Sequence, residues 1–146
     1  MKQLNDLDLA VKRMKQNNLS MVFSREGKII FESNKKGLTP FIQAINTLTR
    51  DIQEATLADR VVGKAAALLA TYARIHSVYA SILSFEAIKI LEYHRIPFKY
   101  GKRVKIIVNH QGTDLCPFEK AVLDTNNPSE AFQCIEEKIQ SQKARQ

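Results

Sequence analysis

The sequence predicts an α/β protein in which helices cover both faces of a mixed sheet, a three-layer α/β/α arrangement. Three observations carry that expectation: a β-hairpin pattern near the N-terminus, a long run of small and apolar residues at 57–73, and strand and helix patterns that alternate after residue 57. Such alternation builds parallel strands joined by crossovers, so the hairpin makes the sheet mixed. At 146 residues, with 5 Gly and 4 Pro, the chain is expected to form a single domain over 1–146 without a long linker.

The elements follow from local pattern. Leu4, Leu7, Val11 and Met14 recur at helical intervals, predicting an amphipathic helix over 4–15. The period then changes: Met21, Val22 and Phe23 precede Arg25-Glu26-Gly27, and Ile29, Ile30 and Phe31 follow, which reads as a hairpin turning at Gly27. Thr39 before Pro40 reads as an N-cap and a first-turn proline, opening a helix to about Glu54 with Phe41, Ile45, Leu48 and Ile52 in one stripe. The run 57–73, "LADRVVGKAAALLATYA", predicts a helix buried on nearly all sides. "HSVYASI" predicts a strand, and "LSFEAIKILEYHRI" a helix ended by Pro97 with Phe85, Ile88 and Leu91 inward. "GKRVKIIVN" predicts a strand with Val104, Ile106 and Val108 on one face and Ile107 suggesting that the other is covered too. Two helices close the chain, at 117–124 and 128–141. Asn127, Pro128 and Glu130 supply the start of the second, and a frayed tail is expected at about 141–146.

Composition narrows the function classes. No apolar leader follows Met1 and no window approaches the ~20 apolar residues of a membrane span, so a cytoplasmic protein without membrane contact is expected. Two cysteines are too few for a cysteine-based zinc site and are expected as free thiols. The net charge of +7 favours an anionic partner. In "FKYGKRVK", Lys99, Lys102, Arg103 and Lys105 have no acidic neighbour, which keeps a basic nucleic-acid-binding module as an alternative, although no RNP, C2H2, KH or helix-turn-helix signature accompanies them.

Two stretches, "ADRVVGKAAALL" (58–69) and "NHQGTDLCPFEKAVLD" (109–124), together resemble a family of uncharacterised bacterial proteins, a domain of unknown function. The resemblance runs from Leu19 to Asp124 and implies a cytidine-deaminase-like fold lacking the zinc site. The residues agree with that lack. A zinc deaminase needs H-x-E or C-x-E at the start of one helix and P-C-x-x-C at the start of the next. The corresponding places read Gly63-Lys64-Ala65 and Ser81-Ile82-Leu83-Ser84, so no metal and no cofactor are expected. A phosphate-binding P-loop fails as well, because Ala58 and Ala65 stand where its first glycine and its hydroxyl belong.

What remains is a small-molecule site at helix starts, beyond the carboxyl ends of strands. The leading expectation is a non-zinc domain binding a small anionic or nucleotide-like ligand through Asp59, Gly63, Lys64, Ser84, Glu86 and His110. Four of them have a plainer reading. Asp59 can cap a helix, Gly63 can permit close packing, Lys64 can be a solvated cation, and Glu86 can stabilise a first helical turn. Cys116 before Pro117 occupies an N-cap position with Glu119 three residues on. The positive helix end would activate its thiol, and Glu119 would oppose that by competing for the same amides. A cysteine-dependent enzyme using Cys116 and Glu119, assisted by His110, is therefore the enzymatic alternative. A homo-oligomer is compatible with all of these.

Overall fold

The computed structural model describes residues 5–144. Helix α1 (Asp6–Gln16) is capped by Asn5, whose side chain accepts from the Asp8 N–H at 2.8 Å. The predicted start at Leu4 lies outside the described residues. The hairpin forms where expected, β1 (Met21–Arg25) and β2 (Lys28–Ser33) meeting at Glu26-Gly27 with φ of 51° and 78°. Both left-handed positions suit the right-handed twist of the strands, and glycine takes the second without a steric penalty. Asp6 fastens the turn to α1 by accepting from the Glu26 and Gly27 N–H groups at 3.0 and 2.8 Å.

Helix α2 (Thr39–Leu48) starts one residue earlier than its proline suggested. Leu38 takes the cap position, Thr39 makes no cap hydrogen bond, and the last turn to Ile52 tightens into a 3-10 helix.

The largest correction concerns 57–73. Its first half is strand β3 (Thr56–Val62), and only the second half is helix α3 (Lys64–Tyr72). A short apolar run is ambiguous in period, and here position in the sheet decides it. β3 lies between β1 and β4 (Ser77–Ser84), where Leu57 joins the main core and Ala58 fits beneath α1. Gly63 then separates the β-branched pair Val61-Val62 from the helical run of alanines and leucines. Leu83 and Ser84 finish β4, so α4 is Phe85–Tyr93. Its buried residues are Ala87, Ile90 and Leu91, while Phe85 is exposed.

Strand β5 (Phe98–Val104) begins and ends earlier than expected. It pairs with β4 alone at the edge of the order β2-β1-β3-β4-β5, and five of its seven residues are exposed. The expectation of a strand covered on both faces fails for that reason. Ile106 and Val108 lie in the following loop and are exposed. β1 runs antiparallel to β2 and β3, while β3, β4 and β5 are parallel, as the crossovers require. Short α5 (Pro117–Ala121) and long α6 (Pro128–Ala144) follow. Asn127 accepts from the Glu130 N–H at 3.0 Å to cap α6, which continues past the expected fraying point at 141.

The main core lies between one sheet face and the helices, built on Phe23, Phe41, Leu57, Leu68, Leu83 and Leu91. Ala10, Met14, Val22 and Ala58 form a smaller cluster where α1 covers the opposite face. Helices thus cover both faces of the mixed sheet, and the parallel strands all end on the side where α3 and α4 begin.

Candidate functional site

Gly63 is the junction between β3 and α3, and it stands in the N-cap position of α3 with no side chain to satisfy the free amides there. Glu119 does so from α5. Its Oε1 accepts from the Lys64 N–H at 2.7 Å and its Oε2 from the Ala65 N–H at 2.8 Å, across 55 and 54 residues of sequence. A Cβ on residue 63 would lie 2.1 Å from Oε1, 2.6 Å from Cδ and 2.9 Å from Ile107 Cγ1. Glycine is therefore required here for the approach of a carboxylate of the same chain.

Lys64 completes a reciprocal arrangement. Its Nζ donates to the Val122 and Leu123 carbonyls at 2.9 and 3.3 Å, where α5 ends, so a cation meets the negative end of α5 while an anion meets the positive end of α3. Two expectations change. Lys64 turns its charge to backbone carbonyls rather than to a cleft, and Glu119 does not compete for the amides of its own helix, because it spends both oxygens on α3. Burial pushes the Glu119 carboxyl up from its ordinary value. The Ala65 and Lys64 amides and the Lys64 charge pull against that, and the charge of Glu86 adds to the rise.

Asp59 does not cap α3. It lies within β3, five residues before the first residue of α3, on the face it shares with Leu57. Only 7% of it is exposed, and Oδ1 meets the Val61 N–H at a long 3.4 Å. Burial raises its pKa to about 7, against the pull of the Val61 and Arg60 amides. The Arg60 guanidinium supplies no counter-charge, because it donates to the Leu19 carbonyl at 2.7 Å and to the Asn18 side chain.

A cleft of about 680 Å3 opens above Asp59. One wall is the segment from β2 to α2, with Lys35, Lys36 and Gly37, and the other is the loop from β5 to α5, with Val108, His110 and Cys116. That loop is held by Asn109, whose side chain accepts from the Thr113 N–H at 3.0 Å, and by the Cys116 N–H donating to the Ile107 carbonyl at 2.9 Å. His110 stands exposed at its turn. Cys116 occupies the N-cap position of α5, as expected, but its thiol makes no cap hydrogen bond and is half-buried. No hydrogen bond joins it to His110 among the described residues.

The cleft thus gathers Asp59, Gly63, His110, Cys116 and Glu119 from the residues the sequence singled out, and leaves three of them elsewhere. Lys64 is engaged as described. Ser84 is buried and caps α4 by accepting from the Ala87 N–H at 3.1 Å, and Glu86 is a surface residue paired with Lys89 at 3.1 Å. Both are accounted for by α4 alone. Sequence reasoning missed Lys35 and Lys36, although "NKKG" is a basic pair ahead of a glycine in a connecting segment. Among the described residues no cluster of three or more His, Cys, Asp or Glu is placed to hold a metal.

A mixed α/β sheet with a ligand-sized cleft past the ends of its strands defines the class of protein. Residues 9–139 match the family described as TM1506, a domain of unknown function (DUF1893), and the chain belongs to it. The crystal structure of the DUF1893 family protein TM1506 from Thermotoga maritima is similar over 94% of this chain and 92% of that one, with a TM-score of 0.84 at 29% identity. Two forms of RibD from Acinetobacter baumannii are similar over 57% of this chain and 28% of theirs, with TM-scores of 0.49 and 0.46 at 17% and 16% identity. No curated protein matches the sequence.

Proposed function

We propose that the cleft over Asp59 binds a small anionic or nucleotide-like molecule. The observation that carries this reading is the pairing of a roomy cleft with two cations on its wall, Lys35 and Lys36, neither in an ion pair among the described residues. The anion is assigned to that wall rather than to the start of α3, because the Glu119 carboxylate already takes the Lys64 and Ala65 amides and would repel a second anion there. Thermal denaturation with inorganic phosphate and nucleoside monophosphates at low salt tests it. Stabilisation of the folded protein is expected, and replacing both Lys35 and Lys36 by Ala should weaken the response about tenfold. No stabilisation by any of them at millimolar concentration overturns the reading.

A second reading has its own observation. The exposed edge strand β5 carries Lys99, Lys102 and Arg103, with Lys105 following it, and the Arg103 guanidinium lies 5.1 Å from the Phe85 ring centre. Basic groups interleaved with aromatics suit single-stranded nucleic acid. Binding there should fall steeply with salt, and its absence at low salt removes the idea.

A further inference from the structure

Asp59 is an unusual group to find at the base of a cleft with a basic wall. It is more than nine-tenths buried, and it forms no ion pair among the described residues. Its Oδ2 accepts no hydrogen bond from another residue, yet no fully buried side-chain oxygen among the described residues is left without a partner. Oδ2 is therefore not wholly enclosed, and Asp59 lines the cleft. A buried carboxyl held this way costs folding free energy. Ordinary packing would relieve that with an apolar side chain or a neighbouring cation, and Arg60, the nearest in sequence, is turned to Asn18 and the Leu19 carbonyl.

We propose that Asp59 is the specificity-determining group of the cleft, and that the ligand presents to it an amino or amidine nitrogen while its anionic group lies at Lys35 and Lys36. This rests on the reading of the cleft as a site for a small anion. A carboxylate with a free oxygen has no donor to offer, so it selects N–H groups and above all cationic ones, and it repels a second anion. The two ends of the ligand are thereby distinguished: the acid belongs at the lysine wall and the nitrogen at the floor. Around Asp59 the other titratable groups lining the cleft are Lys35 and Lys36 on one wall, His110 and Cys116 on the other, Glu119 at the start of α3, and Arg60, whose guanidinium is bound to the Leu19 carbonyl and Asn18. Since a protonated Asp59 attracts a cationic nitrogen less than an ionised one, affinity for such a ligand should rise with pH through neutrality.

Calorimetry with two probe pairs tests the assignment: adenosine 5′-monophosphate against purine riboside 5′-monophosphate, and O-phosphoethanolamine against ethyl phosphate. In at least one pair the amino member should bind about tenfold more tightly at pH 8. Asp59→Asn should reduce that preference to less than about threefold, and the amine-free member should bind more tightly than to wild type, because a neighbouring negative charge is gone. Equal binding within both pairs, or a preference that survives in Asp59→Asn, overturns the role of Asp59 and leaves the cleft as an anion site. Failure of all four to bind at millimolar concentration overturns both readings.

Discussion

Asp59 and Glu119 are two buried carboxyls with opposite circumstances. Glu119 has two short amide donors, and Asp59 has a long contact to the Val61 N–H beside the weaker pull of the Arg60 amide. A carboxyl whose pKa rises on folding, from an ordinary 3.8 to about 7, binds its proton more tightly in the folded state. Its contribution to stability is fully present below pH 4 and is lost as pH climbs to about 7, on the order of 4 kcal/mol at ~1.4 kcal/mol per pH unit. Urea unfolding of wild type and Asp59→Asn between pH 4 and 8 should therefore show the variant gaining on wild type as pH rises. A constant difference would mean that Asp59 stays ionised throughout. For Glu119→Ala, losing two charge-assisted hydrogen bonds and orphaning their donors predicts a cost of about 3 kcal/mol or more, read by the same unfolding curves. Gly63→Ala should cost a comparable amount, since its methyl would displace that carboxylate. Cys116 carries a simpler expectation: with neither a cap bond nor a histidine partner, and half-buried, it should label more slowly than an exposed cysteine. Faster labelling at low pH would revive the enzymatic reading.

At the scale of elements, the clamp between α3 and α5 joins two helix ends through one glutamate and one lysine. Helix α5 has only five residues and would not persist in isolation, so its order depends on these tertiary bonds and on Phe118 and Val122 in the core. Amide exchange at Lys64 and Ala65 should accelerate at least tenfold in Glu119→Gln, which keeps one acceptor but turns a donor toward α3. Unchanged protection at those two amides would show that water caps them equally well. Much of this level was legible in the sequence. The hairpin and the start of α6 are set by turn and cap residues a few positions apart, and α1 by the helical spacing of Leu7, Val11 and Met14. The boundaries that failed depend on neighbours far away in sequence. Whether "LADRVV" becomes strand or helix is decided by β1 and β4 on either side of it, and β5 stops at Val104 because β4 ends beside it at Ser84.

For the whole molecule, the sequence places candidate residues at the starts of α3 and α5, and the structure turns two of their charges, Lys64 and Glu119, each to the end of the other's helix. The amides of α3 looked free because the residue that fills them comes more than fifty positions later, a distance at which pattern carries no signal. Lys35 and Lys36 escaped notice because a lysine pair in a connecting segment resembles any solvated surface until the fold brings it opposite Asp59.

The distance from Glu119 to the amides it caps also sets an order of events. A growing chain that has reached β4 and α4 already holds every residue of α3, yet the first turn of that helix stays open until Pro117–Ala121 has emerged and docked. Strands β3 and β4 can pair before then, but the cleft cannot close above Asp59 until the loop after β5 is in place. A chain cut just before Pro117 keeps the loop after β5 but lacks Glu119 and the core residues Phe118, Val122 and Ile135, so it should lose the cap of α3 and unfold at lower urea.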